Sequence, residues 1–189
     1  MKNVEIERRF VVRGEDIAAM LPDCKFASYK RSDGSVSYRI VDAPFQEIHQ
    51  GYLKCEDGVS RLRCVYCIAS DGGIYGTEFY WTIKGKGQLM RSEHETGLTA
   101  DAFHDMLPTH SKVRIEKRRY ILINRPGCKK VELDFFDNQD VEYIAEVEFE
   151  TVEAADAYVP EKWMSTEVTN TPGYSNYEMA VKKSKQTNK

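Results

Sequence analysis

The sequence predicts an α+β fold that is mainly β: an antiparallel sheet closed on itself around a charged interior, with a few short helices outside. Three observations carry that prediction. Apolar and polar residues alternate with period two in segment after segment, the signature of strands rather than helices. One face of most of these segments bears ionised side chains of both signs, while the other is apolar and needs covering. Acids and bases are also segregated by strand instead of interspersed as on a solvated surface. A closed sheet answers all three. Helices cover the apolar outside, no edge is left open, and the charges share a lumen that holds water, metal and a charged ligand, because unpaired buried charges are costly.

The elements follow in order. Strand Val4–Val12 sets Glu5, Glu7 and Arg9 against Val4, Ile6 and Phe10, and a short helix follows over Glu15–Leu21. Strands Ser35–Val41 and Gly51–Cys55 lead to Ser60–Ile68, where Arg61 and Arg63 alternate with Leu62. In Phe79–Lys84, Phe79, Trp81 and Ile83 oppose Tyr80, Thr82 and Lys84, with Lys86 just beyond. Strand Arg91–Thr96 carries Arg91, Glu93 and Glu95 in one row. Helix Ala100–Leu107 has polar starts in Thr99 and Asp101 and a stop in Pro108. Lys117 and Arg119 lie on Val113–Asn124, and Glu132 and Asp134 on Lys130–Phe136. In Val141–Thr151, Glu146, Glu148 and Glu150 oppose Ala145, Val147 and Phe149. Helices Val152–Tyr158 and Ser175–Lys185 complete the chain, whose last residues, 182–189, read as a polar, frayed tail.

Length and composition bound what such a fold can be. The 189 residues suit one domain over 1–189, and neither a repeat nor a Pro/Gly/Ser-rich linker divides them. At 41% hydrophobic and 30% charged the chain is globular but slightly poor in apolar residues, as expected if charged side chains stand where a core would be. With 27 basic and 30 acidic residues the net charge is −3, so no global field selects nucleic acid or an anionic membrane as partner. No apolar run approaches the ~20 residues a spanning helix needs, and the charged start MKNVEIERRF lacks a signal-peptide core. Five cysteines (Cys24, Cys55, Cys64, Cys67, Cys128) form an odd set without framework spacing, which fits a reducing cytoplasm. Cys64 and Cys67 point to opposite faces of one strand and read as free thiols. The four histidines lack ligand spacing, which argues against zinc.

The charged rows carry the chemistry. Glu5 and Glu7 are two positions apart on one strand face, roughly 7 Å between backbones, so their carboxylates can converge on one cation. Glu146, Glu148 and Glu150 offer a second such row, and two facing acidic rows suit Mg²⁺ or Mn²⁺. Arg61, Arg63, Lys84, Lys86, Arg91, Lys117 and Arg119 are more positive charge than one carboxylate ligand needs. Guanidinium forks match phosphate oxygens, and a row of phosphates with a bridging metal would match bases on one side and acids on the other. Phosphoryl transfer then needs positioning, charge neutralisation and an oriented water, with no protein nucleophile.

These residues also carry a resemblance. EIERRF is similar to the E-x-E-x-K signature of CYTH-domain proteins of the triphosphate tunnel metalloenzyme superfamily, in their short bacterial form. Glu5 and Glu7 match the acids, and Arg9 stands where lysine is expected. QGYL (Gln50–Leu53), RLR (Arg61–Arg63), WTIKGKG (Trp81–Gly87), RSEHE (Arg91–Glu95), EKRRY (Glu116–Tyr120), VELDFF (Val131–Phe136) and AEVEFE (Ala145–Glu150) follow in the family's order. So do P-x-x-W ending at Trp163, EVT (Glu167–Thr169) and YSN (Tyr174–Asn176). The resemblance implies a closed eight-stranded antiparallel barrel, a tunnel. It implies metal on Glu5, Glu7 and Glu148, with Glu146 and Asp134 near, and phosphates on Arg9, Arg61, Arg63, Lys84, Lys86, Arg91, Lys117 and Arg119. Glu5, Glu7, Lys84 and Arg9 would be the catalytic set. The expected activity is metal-dependent hydrolysis of inorganic tripolyphosphate or a small organic triphosphate. A class IV adenylyl cyclase and a non-catalytic polyphosphate-binding module are the rivals, and a homodimer is left open. Two further departures, Ser165 for a usual glycine and Gly173 where a basic residue often stands, bear on the C-terminal closure.

Overall fold

A computed structural model describes residues 3–21, 24–30, 34–53, 59–85, 90–107, 113–122, 125–137 and 141–187. Along the chain come β1 (Asn3–Val12), α1 (Gly14–Met20), β2 (Phe26–Lys30), β3 (Val36–Ile40), β4 (Phe45–Leu53), β5 (Val59–Ile68), β6 (Ile74–Lys84) and β7 (Met90–Leu98). Then follow α2 (Ala100–Met106), β8 (Arg114–Leu122), β9 (Lys130–Phe135), β10 (Tyr143–Glu148), α3 (Val152–Ala157), β11 (Thr166–Glu167) and α4 (Asn176–Thr187). The molecule is mainly β with four helices, and none of the described helices is long and apolar enough to cross a membrane.

One large sheet runs in the order β10-β9-β8-β4-β5-β6-β7-β1-β11, with every pairing antiparallel. β1 also pairs with β10, from Glu7↔Glu148 to Val12↔Tyr143, so the path of hydrogen-bonded neighbours returns to its starting strand. β2 and β3 form a separate hairpin.

The apolar faces hold the molecule together. Phe10 and Val12 of β1, Leu133 and Phe135 of β9 and Ala145 and Val147 of β10 pack beneath Ile17 of α1, Ala155 of α3 and the segment of Tyr158, Trp163 and Met164. Each fully buried aliphatic or aromatic side chain there contributes about 1.5–3 kcal/mol. Phe103 of α2 covers Leu62 and Cys64 of β5, whereas Met179 and Ala180 of α4 pack on the charged face, against Tyr52, Ile115, Phe136 and Ile144, which are in phase with Gln50, Lys117, Asp134 and Glu146. The helices begin where polar side chains take up their first amides. Thr99 Oγ1 accepts from the Ala102 amide at 3.2 Å and Thr151 Oγ1 from the Ala154 amide at 3.1 Å. Ser175 and Glu178 form a reciprocal capping box before α4.

Several strands depart from the sequence reading, among them β6, which begins at Ile74 instead of Phe79, and β11, which the reading did not contain. β4 begins at Phe45 instead of Gly51, because Gln46 and Gln50 on one face and Glu47 and His49 on the other leave no amphipathic alternation to see. β10 ends at Glu148, and Glu150, expected in its acidic row, is exposed beyond it. β2, absent from the sequence reading, exists through its pairing with β3.

Candidate active site

Register decides which charges meet. β1 and β10 place Glu7 opposite Glu148 and Arg9 opposite Glu146, while β8 and β9 place Arg119 opposite Asp134. On the other flank of β1, Glu5 lies opposite Arg91, and β7 in turn sets Glu93 opposite Lys84 and Glu95 opposite Thr82. β6 and β5 continue with Thr82 opposite Arg61. The rows read from alternation therefore share one face of one sheet.

Around β8, β9, β10 and β1 the charges are tightly paired. Arg119 gives Nε to Asp134 Oδ1 at 2.6 Å and Nη2 to Glu146 Oε2 at 2.6 Å, and its Nη1 meets Glu132. Lys117 Nζ donates to Asp134. Arg9 bridges two strands, with Nη2 on Glu7 Oε1 at 2.5 Å and Nε 3.2 Å from Glu146 Oε1. Burial alone would push the Glu146 carboxyl up, but Lys117, Arg119 and Arg9 hold it well below the usual carboxylate range. Arg9 is likewise raised, because Glu7, Glu146 and Glu5 outweigh the cost of its burial. Lys117 goes the other way: burial first, then the neighbouring Arg119, lowers it to about 8 against the pull of Asp134.

Around β5, β6 and β7 the pairing is loose. Arg61 is 8% exposed, yet its Nη2 lies 3.8 Å and 3.9 Å from Glu93 and Glu95, and it donates to Thr82 at 3.3 Å. Arg63 holds Glu95 at 2.6 Å and stacks 5.2 Å from the centre of Tyr80. The Nε atoms of Arg61 and Arg63 are buried without a hydrogen-bond partner. Burial first, then the neighbouring Arg61, lowers the pKa of Arg63 against the pull of Glu95. Lys84 Nζ holds Glu5 at 2.7 Å and reaches Glu93 at 3.4 Å. Burial, with Glu5 nearby, raises the carboxyl of Glu93 against the pull of Lys84.

The donor set is chemically suited to a hard divalent ion: Glu5, Glu7, Glu146, Glu148 and Asp134 offer only carboxylate oxygens, on neighbouring strands. As they stand, these carboxylates are held by side-chain cations, Glu148 by Lys130 at 3.0 Å. Among the described residues no three His, Cys, Asp or Glu side chains converge closely enough to hold a metal. Ion binding here requires guanidinium and ammonium groups to be drawn away, which an incoming polyanion can do.

Comparison with known proteins bears directly on this arrangement. No family model matches the chain. An inorganic triphosphatase of Nitrosomonas europaea is 35% identical over 150 residues, spanning 76% of this chain and 93% of that protein. The chain belongs to the CYTH family of triphosphate tunnel metalloenzymes. The crystal structure of an inorganic triphosphatase covers 94% of this chain and is itself 94% covered, with 28% identity and a TM-score of 0.53. A conserved hypothetical protein of Pyrococcus furiosus shares the fold alone, at 15% identity and a TM-score of 0.50 over 81% of this chain and 83% of its own.

On this CYTH scaffold Glu5, Glu7, Arg9, Arg61, Arg63, Lys84, Lys117, Arg119, Asp134 and Glu146 come together on the charged face. Glu148 stands at its margin, turned to Lys130. Arg91 is opposite Glu5 through its backbone; its side chain and all of Lys86 lie outside the described residues. The sequence reading left out of its site Glu93, Glu95, Glu132, Lys130, Thr82, Gln50 and Tyr52. For the acids the signal was present, since each shares a two-residue period with a chosen residue. Gln50 and Tyr52 are neutral, and only register brings them beside Arg63 and Arg61.

Proposed function

We propose that this protein hydrolyses inorganic tripolyphosphate, or a small organic triphosphate, in a metal-dependent reaction inside a closed eight-stranded tunnel. The circuit of pairings from β10 round to β1 supports the tunnel. So does electrostatic reach across it: Tyr52 of β4 senses Glu146 and Arg9, and Lys84 of β6 helps to lower Glu146 of β10. The observation that carries the substrate is the pair Arg61, buried, and Arg63, partly buried, whose buried Nε donors are unused among the described residues beside a carboxylate-rich wall. A buried cation without full pairing is costly, and phosphate oxygens are the ligand that completes a guanidinium fork. The relative of known name, an inorganic triphosphatase, points the same way.

In this reading Arg61 and Arg63 seize the phosphates and release Glu95, while Lys84, Lys117, Arg119 and Arg9 neutralise charge along the polyphosphate. Glu5, Glu7 and Glu148, with Glu146 and Asp134 near, would hold Mg²⁺ or Mn²⁺, which supplies Lewis-acid neutralisation of phosphate oxygens when bound. The setting is a cytoplasmic enzyme with a small-molecule partner. Tripolyphosphate, thiamine triphosphate, ATP and pyrophosphate, each with Mg²⁺ or Mn²⁺, should be assayed for phosphate, pyrophosphate and cyclic AMP. Tripolyphosphate or an organic triphosphate is expected to yield phosphate, with EDTA abolishing turnover and Glu5→Gln or Glu7→Gln lowering it at least ~100-fold. Cyclic AMP as the product, full activity in EDTA, or binding without turnover would each overturn the reading.

A further inference from the structure

The charged face has a neutral patch on β4. Its neighbours β5 and β8 present Arg61, Arg63, Lys117 and Arg119, whereas β4 presents Gln46, Ile48, Gln50 and Tyr52. Gln50 sits in register between Arg63 and Ile115, one alternation from Lys117 opposite Ile48. It is 3% exposed, and its Nε2 donates to Tyr52 Oη at 2.7 Å. Burial keeps the Tyr52 phenol protonated, so the hydroxyl is a steady neutral partner for the amide. With Nε2 committed, Gln50 Oε1 is buried and has no hydrogen-bond partner among the described residues.

An orphaned buried acceptor is destabilising, and packing does not require one: leucine fills nearly the same volume without a polar atom. The same face leaves Arg61 Nε and Arg63 Nε unused, and those donors call for phosphate oxygens. Gln50 Oε1 calls for the opposite. A carbonyl oxygen cannot hydrogen-bond an ionised phosphate oxygen, because both are acceptors; it needs a donor, and once phosphate oxygens take the Arg61 and Arg63 N–H groups the donor left beside the phosphate is water.

We propose that Gln50 holds the hydrolytic water, with Tyr52 fixing the amide so that its carbonyl oxygen accepts a hydrogen bond from that water beside the terminal phosphate. This rests on the triphosphatase reading. The water oxygen bonds to the terminal phosphorus as the P–O bond to the next phosphate breaks, and that bond's electron pair leaves on the shortened polyphosphate. One water proton stays on the new orthophosphate and the other passes to a phosphate oxygen. Gln50 takes no proton; it orients the attacker.

The test is Gln50→Leu in the full chain, with tripolyphosphate and Mg²⁺ or Mn²⁺. Turnover, kcat, is expected to fall about 30-fold or more while KM stays within about threefold, because the phosphate contacts remain. Calorimetric affinity for the non-hydrolysable imidotriphosphate should likewise stay within about threefold, and Tm within about 4 °C of wild type, since removal of the orphan acceptor offsets the lost hydrogen bond to Tyr52. Unchanged kcat, a loss carried by KM or analogue binding, or a variant that melts beyond that margin or fails to fold would each overturn the assignment, the last by making the amide structural. Wild type inactive on every triphosphate would instead remove the functional reading on which the assignment rests.

Discussion

Adjacent arginines on β1 do different work because their parity differs. Arg9 faces the acids, joining Glu7 and Glu146, and stands where the CYTH family signature carries lysine. A guanidinium there spans two carboxylates, or two phosphate oxygens once a polyanion arrives, whereas an ammonium presents one compact charge. Arg9→Lys is expected to keep the fold and part of the activity while changing the preference among triphosphates. Arg9→Ala leaves Glu7 and Glu146 without a shared cation, which costs about 3–5 kcal/mol of stability when one partner of a buried pair is removed. It should also cut turnover far more than the lysine variant does. Kinetics of both variants on the triphosphate panel, with melting curves beside them, decide the matter. An alanine variant that turns over each substrate like wild type would remove Arg9 from the phosphate site.

At the scale of elements, Arg8 is the counterpart of Arg9 on the outer face. Its Nε and Nη2 hold Glu167 at 2.9 Å and 2.6 Å, and Nη1 donates to the carbonyls of Ala155 at 2.9 Å and Tyr158 at 3.0 Å. One side chain thus ties β1, the end of α3 and β11 together, with its guanidinium 5.3 Å from the Phe10 ring centre. Carbonyls at a helix C-terminus are short of donors, and a cation there also meets the negative end of the helix dipole. Arg8→Ala is expected to lower stability by about 2 kcal/mol, or Tm by roughly 4–8 °C, without changing KM below the melting transition. An unchanged melting curve would show that β11 and α3 stay docked without it. The departures at Ser165 and Gly173 lie in this C-terminal region. Ser165 Oγ donates to the Val11 carbonyl at 2.8 Å, a contact glycine could not make, and Gly173 has a positive φ of 94°, which suits glycine.

For the whole molecule the unusual quantity is the amount of charge withdrawn from water, which makes stability and ligand binding interdependent. Lys117 shows the sign. Its folded pKa of about 8 lies below its ordinary value of 10.5, so between those values the unfolded chain binds more protons. This group's contribution to stability therefore rises with pH across that window, and its charging opposes folding below about 8. In the proposed reading, a polyphosphate bound beside Lys117 would hold its proton and reverse the balance. At a ligand concentration about 100 times Kd, tripolyphosphate should raise Tm by roughly 5–10 °C near pH 7. The rise should shrink as pH climbs through about 8, when the free protein loses the Lys117 proton. Lys117→Arg, which stays charged, should flatten that decline. A ligand-induced Tm shift equal at pH 7 and pH 9.5 in both proteins would contradict it.

How far the sequence reached follows from what each pattern encodes. Period-two alternation is local, and it determined the charged and apolar faces of β1, β5, β6, β8, β9 and β10 and hence most of the candidate site. The helix start at Thr99 was legible for the same reason: a cap is a contact between residues three apart. β4 was only half legible, since polar residues on both its faces erase the alternation, and β2 became a strand only through β3. Pairing between distant strands decided the rest. Nothing local says that Arg9 sits opposite Glu146, that Arg61 is left loosely paired while Arg119 is saturated, or that Gln50 stands between Arg63 and Ile115. Alternation assigns a residue to a face. Which partner it meets there, and whether its charge or hydrogen bond is satisfied, depends on register between strands far apart in sequence, and only the tertiary structure sets that register.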